Sequence, residues 1–340
     1  MKANSIDIAY RAGVSQSTVS RALRNSPLVN QKTREKIQAI AKELNYKVDK
    51  NASNLRLQSS ATIALLLFED PTGDDSLINP FFLSMLGSIT RACAKSGYDL
   101  LVSFQQMNAD WHADFDDSNK ADGIILLGYG DFDDYHDKLL RLIEQGTRFV
   151  RWGAAMPGEA MVSIGCSNID GGKTITDYMV GQGRKKMAFL GGADSHCPEF
   201  WDRYKGHCKA LSAAGLEVNE ALQIDAITTE ESGYEAAIKL IDLNKPFDTI
   251  FAASDLIAIG AIRALKENYI RVPQDVAVVG FDNIATASSV SPPLTTMKQD
   301  TVKAGELLVE SLLRLISGEQ IESVEMSAEL VVRESCGAGQ

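Results

Sequence analysis

The sequence predicts an α/β protein in two parts: a small helix-turn-helix head, then a two-lobed core of doubly wound parallel sheets. Three observations carry this. The opening residues show helical periodicity interrupted by a glycine turn. From residue 61 onward, continuous apolar runs alternate with amphipathic helical ones, the pattern of parallel sheets covered on both faces. At 340 residues and 45% hydrophobic content, the chain can fill two or three cores at roughly 150 residues per domain.

The head comes first. Ser5 is placed to cap a first helix whose apolar positions read as Ile6, Ala9 and Tyr10, and Gly13 ends it. Ser15 is a good N-cap for a second helix from Gln16. On that helix Val19, Ala22 and Leu23 form a narrow apolar stripe, while Ser17, Ser20, Arg21 and Arg24 share a polar face. A third helix starts after Asn30 and carries Ile37, Ile40, Ala41 and Leu44 at helical spacing, a packing surface that two helices alone would lack. Residues 47–60 are polar and read as a linker. Within it NASNLRL is long enough for barely two turns of helix, too short to hold without a partner.

In the core, TIALLLF, YDLLVSF, GIILLG, RFVRWG, KMAFLGG, DTIFAAS and DVAVVGF read as strands. Helical stretches such as FFLSMLGSITRACAKSG, DYHDKLLRLIEQG, GGKTITDYMVGQG and LIAIGAIRALKENY lie between them. Seven strands are too many for one small sheet, so two lobes are expected, with a ligand beyond the carboxyl ends of their strands.

Charge sorts the two parts by partner. Residues 1–58 hold eleven Lys and Arg against four Asp and Glu, a net of +7, and the remainder holds 23 against 41, a net of −18. A basic head on an acidic body is the mark of an N-terminal nucleic-acid module. No apolar run reaches the ~18 residues needed to span a bilayer, and the N-terminus lacks a signal-peptide core. Five scattered cysteines without a CxxC suit a reducing cytoplasm. The pairs His196-Cys197 and His207-Cys208 match no common zinc spacing, so neither a metal nor a cofactor is expected.

The chain resembles the lactose-repressor/galactose-repressor (LacI/GalR) family of bacterial transcription regulators. The most specific stretch is residues 6–46, with AGVSQSTVSR at its centre. NLRLQ, NPFF, DRYKGH, SDLIAIGA, RVPQDVAVVGFDN and SPPLTTMKQD extend the likeness along the chain. The resemblance implies a DNA-binding domain at 1–46, a linker with a hinge helix at 47–60 and a periplasmic-binding-protein-like core at 61–340. It places one lobe at about 61–165 and 297–322, the other at about 166–296 and 323–340. It further implies a cytoplasmic homodimer on a pseudo-palindromic double-stranded operator, and a small-molecule effector, a sugar, in the cleft.

Carried over position by position, Gln16, Ser17 and Arg21 match the base readers. Gln can pair bidentately with adenine and Arg with guanine. Ser15, Ser20, Asn25 and Thr33 match phosphate contacts that set register, Ser15 having capping as its alternative role. Leu55 matches an apolar wedge in the minor groove. Arg203 and Asp282 match the most recurrent effector contacts, and Asn79, Phe81, Glu199 and Trp201 lie near pocket-lining motifs. A guanidinium, a carboxylate and an aromatic face suit a polyol ring. Two departures stand out. Cys166-Ser167 replaces a common Asp-Asn, which removes a pocket carboxylate and favours a neutral, glucose-like sugar over a purine. WHADFDDSNKADG is also shorter and more acidic than the usual second core helix.

Three other functions compete with this reading. An enzyme needs a catalytic constellation, yet the chain has no GxSxG, P-loop, HExxH or complete GxGxxG. A solute-binding protein accounts for the core but leaves the basic head unexplained. A regulator answering to a nucleobase shares the fold and differs only in the cleft.

Overall fold

A computed structural model describes residues 4–23, 25–46, 59–68, 78–128, 130–155, 158 and 160–338. The chain divides into two compact units, Met1–Ser60 and Ala61–Gln340.

The first unit is a three-helix cluster of α1 (Ser5–Ala12), α2 (Gln16–Leu23) and α3 (Gln31–Glu43). Asn4, one residue before the expected Ser5, caps α1. Its side chain accepts from Ile6 N and Asp7 N, and the Asp7 carboxylate accepts in return from Asn4 N at 2.8 Å. Gly13 ends α1 in the left-handed conformation, at φ +70°. Ser15 Oγ then accepts from Thr18 N, and Asn30 Oδ1 from Thr33 N, at the starts of α2 and α3. Ile8, Ala9, Ala12, Val19, Ala22, Val29, Ile37 and Ala41 form the core. The phase read for α1 is therefore off, since Ile6 and Tyr10 are 62% and 89% exposed. Eight residues make only two turns and carry two apolar rows. The row containing Ala9 and Ala12 is the one that lets the neighbouring helices come close.

The second unit contains two six-stranded sheets. Strands β1 (Thr62–Leu67), β2 (Asp99–Phe104), β3 (Gly123–Leu127), β4 (Phe149–Trp152), β5 (Val162–Cys166) and β11 (Val324–Met326) form the first. All its pairings are parallel, in the order β11-β5-β4-β3-β1-β2. The second consists of β6 (Met187–Leu190), β7 (Gln223–Ile224), β8 (Thr249–Ala252), β9 (Ala277–Asp282), β10 (Thr295–Lys298) and β12 (Glu329–Val331). Its order is β12-β10-β9-β8-β6-β7, with β12 alone antiparallel. Helices α4 (Pro80–Lys95), α5 (Phe132–Glu144), α6 (Asn168–Gly181), α7 (Pro198–Ala213), α8 (Glu230–Asp242), α9 (Asp255–Glu267) and α10 (Thr301–Ile316) cover them. No helix among the described residues is long and apolar enough to cross a membrane.

The lobe boundaries differ from those expected. Met297 and Lys298 pair with Phe281 and Asp282 in the second sheet, and Val324–Met326 pair with Ile164–Cys166 in the first. The crossings therefore lie at 166–167, 299–300 and 327–328 instead of 165–166, 296–297 and 322–323. β10 and β11 are short and polar, TTMK and VEM, so no apolar run marked them. WHADFDDSNKADG contributes one π-helical turn, His112–Asp117, with no buried residue, and Trp111 just before it is buried.

Close packing of α6 on α7 fixes the cleft wall. A Cβ on Gly172 would lie 2.2 Å from the Arg203 carbonyl oxygen, and one on Gly206 would lie 2.1 Å from that of Ile169. Only hydrogen fits at either contact. Gly206→Ala is therefore expected to cost about 1–3 kcal/mol by overpacking, with a loss of effector binding as α7 moves. A urea midpoint unchanged from wild type would contradict this.

Candidate functional site

The polar face of α2 is open to solvent: Ser15, Gln16, Ser17 and Arg21 are exposed, opposite buried Val19 and Ala22. Gln16 Nε2 donates to Ser5 Oγ at 2.7 Å, which steers the amide along α2, and Ser15 Oγ lies 2.8 Å from Ser17 Oγ. Among the described residues the Arg21 side chain makes no hydrogen bond or ion pair, its backbone carbonyl accepting from Ser26 N at 3.0 Å. Ser20 and Thr33 are half-buried, Thr33 supplying its N–H to the α3 cap. Asn25 adopts φ 56° and accepts from Gln38 Nε2 at 2.8 Å. Ser15 caps α2 through its hydroxyl oxygen, the alternative role read for it. Leu55 and the hinge helix lie outside the described residues.

The second candidate is a cleft beyond the carboxyl ends of the core strands, where such folds hold ligands. It encloses a cavity of about 120 Å³. Phe68, Asn79, Phe81, Phe82 and Trp152 line it from one lobe; Glu199, Phe200, Arg203, Thr228 and Asp282 line it from the other, with Gln299 at the crossing. The aromatic side is a packed group, Phe81 lying 5.4 Å from Phe82 and 5.8 Å from Trp152 between ring centroids.

Arg203 and Asp282 do face each other. Both are buried, with Arg203 Nη1 3.7 Å from Asp282 Oδ1. Arg203 is held from behind: Nε donates to Asn168 Oδ1 at 2.9 Å, Nη1 donates to the Ala253 carbonyl, and Cζ lies 3.8 Å from the Phe281 ring centroid. Asp282 closes β9 at φ +114°, backbone that side-chain-bearing residues rarely adopt and that clusters at functional sites. Gln299 Nε2 donates to its Oδ1 at 2.7 Å. Burial raises the Asp282 carboxyl to about 6, against the opposing pull of Arg203. Behind it, burial and then the Asp282 charge hold Asp255 well above the usual carboxylate range. Asp255 accepts from Ile284 N and Thr296 Oγ1, so it fixes the turn that carries Asp282.

Hydrogen bonds among the described residues tie the lobes across the cleft. Asn79 Nδ2 donates to Thr228 Oγ1 at 3.2 Å, and Ala154 N to Glu199 Oε1 at 2.9 Å. Phe132 N donates to the His196 carbonyl at 3.0 Å, and the His196 ring lies 2.7 Å from Asp131 Oδ2. The His196–Asp131 contact is exposed, and it raises the His196 pKa. Asn79 and Glu199 thus bridge lobes as well as line the cavity.

Trp201 departs from expectation. It is 39% exposed on the outer side of α7, with Lys205 Nζ 4.6 Å from its ring. Glu199 and Arg203 stand four residues apart on one helical face, which turns the residue midway between them outward. Sequence reasoning missed Phe68, Phe82, Trp152, Phe200, Thr228, Asn168 and Gln299 among others. Phe68 and Trp152 were findable, since each ends or follows an apolar strand run at its carboxyl end. Cys166 is buried, its thiol pushed up to about 12 by that burial, and cannot act as a carboxylate.

His207, the other histidine weighed for metal, belongs to the core. It packs against Phe189 and Phe251, with Nδ1 2.9 Å from Thr176 Oγ1. Among the described residues no three-ligand cluster includes a cysteine. Burial lowers the His207 pKa to about 4, so the native state keeps it neutral. Its stabilisation is complete above the unfolded value of ~6.5 and is lost as pH falls towards that folded value, about 3 kcal/mol in all. Urea unfolding from pH 7 to 4.5 should show this loss, and His207→Gln should flatten it. Equal slopes for both proteins would refute the assignment.

A helix-turn-helix head with an open polar face, joined to a two-lobed core with a ligand cleft, defines a DNA-binding transcriptional regulator rather than an enzyme. Residues 6–49 match the model for bacterial regulatory proteins of the lacI family, and residues 176–336 match that for a periplasmic-binding-protein-like domain. The chain is 31% identical over 336 residues to the HTH-type transcriptional regulator RegA of Clostridium saccharobutylicum, covering 97% of this chain and 98% of that one. It is also 31% identical to the regulator CelR of Thermobifida fusca, over 96% of each chain. The solved CelR–cellobiose complex superposes with a TM-score of 0.74 at 28% identity, over 98% of this chain and 99% of that chain. The lac repressor dimer bound to operator and the anti-inducer ONPF gives 0.84 at 25%, over 99% of each. This chain belongs to the LacI family of bacterial transcriptional regulators.

Proposed function

We propose that this regulator is a homodimeric repressor of carbohydrate-use genes whose operator affinity is set by a neutral sugar in the core cleft. The observation that carries the reading is the buried Arg203–Asp282 pair facing an aromatic wall inside the cleft. A guanidinium and a carboxylate at that separation leave room for hydroxyl groups that accept from one and donate to the other. The aromatic rings offer flat apolar surface to the C–H face of a pyranose. The cellobiose complex of CelR, a relative with the same architecture, points the same way.

On the DNA side, Gln16, Ser17 and Arg21 are the base readers, with Ser15, Ser20, Asn25 and Thr33 on phosphates and Leu55 as the minor-groove wedge. Leu83 on α4 and Leu101 and Val102 on edge strand β2 are 50%, 38% and 44% exposed. Such apolar exposure suits a dimer face, and two heads related by a two-fold axis require a pseudo-palindromic site.

A thermal-shift screen of monosaccharides, disaccharides and nucleobases tests the effector. A ligand at ~100 times its Kd adds about 2.7 kcal/mol of stability. The expected result is a sugar among the stabilising compounds. A nucleobase stabilising the protein where no sugar does would replace this reading.

A further inference from the structure

Outside the pocket of Arg203 and Asp282 the cleft opens into a second cavity of about 560 Å³. Phe68, Cys197, Phe200 and Thr228 line both. The inner pocket, about 120 Å³, is near the size of a cavity of ~150 Å³ that takes a single benzene ring. One small ring exhausts it, and anything larger must extend outward.

The outer cavity has the chemistry to receive that extension. Phe200 and Ile227 offer apolar surface, Ile227 being 59% exposed. Asp131, Asp194 and Asp225 stand around it. Asp194 uses Oδ1 to accept from His196 N, and Asp225 uses Oδ1 to accept from Gln223 Nε2. Among the described residues, Oδ2 of each makes no hydrogen bond, so each can accept from a ligand hydroxyl. His196 is the single basic group among the described residues of this lining, and Asp131 and Asp133 already flank it at 2.7 and 3.7 Å. A ligand carrying phosphate or carboxylate would therefore meet like charge at the mouth.

We infer that the outer cavity is a second subsite and that the effector is a neutral oligosaccharide of at least two rings. Its terminal ring lies against the Arg203–Asp282 pair with its hydroxyls on both groups, and the next lies over Phe200 and Ile227 with hydroxyls donated to Asp194 and Asp225. The inference rests on the sugar reading of the inner pocket.

Isothermal titration of the full chain tests it with glucose, its α-1,4-, α-1,6- and β-1,4-linked disaccharides and trisaccharides, and glucose 6-phosphate. At least one disaccharide should bind ten-fold or more tightly than glucose, and the phosphate ester more weakly than glucose. The double variant Asp194→Ala, Asp225→Ala should shrink the disaccharide-to-glucose affinity ratio. Glucose binding as tightly as every longer sugar, or a ratio unmoved by the double variant, overturns the second subsite and leaves the sugar reading standing. If adenine or guanine binds and no sugar does, the sugar reading falls and the subsite with it.

Discussion

Arg21→Ala is expected to erase most of the preference for operator over random duplex while the fold and effector binding stay intact. Arg21 projects from the exposed face of α2, opposite the buried Val19 and Ala22, and supports nothing within the head. Exposed substitutions of that kind usually change stability by less than about 0.5 kcal/mol. A bidentate guanidinium on guanine discriminates by about 1–3 kcal/mol, and a dimer presents two of them. The specificity ratio should thus fall on the order of 30-fold or more. Non-specific affinity should fall little, since one phosphate-scale charge is lost among several. Fluorescence anisotropy at fixed salt reads both. A wild-type ratio in the variant would assign base reading elsewhere on the head.

The second large effect is at Asp282. Asp282→Asn should abolish effector binding and, at pH 7.5, raise the melting temperature. Burial lifts this carboxyl to about 6 even with Arg203 beside it, so its ionised form costs the fold stability. A raised folded pKa means the stabilising contribution is complete below the unfolded value of ~3.9 and is lost as pH rises through about 6. Asparagine mimics the protonated form, tolerates a positive φ better than most residues, and should recover about 1–3 kcal/mol. Effector affinity follows the opposite course. A hydroxyl donates more strongly to a carboxylate than to a neutral carboxyl, so binding should weaken as pH drops below about 6. Calorimetry and titration of one variant check both halves, and a lowered melting temperature would contradict the first. Sites tuned for a ligand are often unstable without it.

Those two sites were legible to different degrees. The head was readable because its signals are local: Gly13 at the turn, Ser15 and Asn30 at the caps, and a stripe with its phase set by Val19 and Ala22. The α1 phase failed because a two-turn helix carries two apolar rows, and tertiary contact chooses between them. The seven long apolar strands were visible, whereas TTMK and VEM owe their strand character to neighbours distant in sequence. In the cleft, Arg203 and Asp282 stood out through the resemblance. Trp201 was misplaced because the resemblance gave a neighbourhood and helical phase gives a direction. Phe82, Thr228 and Gln299 come from three separate segments, so only the folded chain brings them together.

A sugar that sets operator affinity from the cleft must couple the two binding events. A ligand can shift the lobes only by as much as its affinity differs between their arrangements, and the coupling is reciprocal. The most direct measurement is the operator Kd, on a duplex selected in vitro, with and without a saturating sugar. The same sugar's Kd is then measured on free and operator-bound protein. Both constants should change by one common factor of about 5–150, and Asp282→Asn should leave operator affinity indifferent to the sugar. A sugar that binds the cleft yet leaves operator affinity unchanged would contradict the coupling.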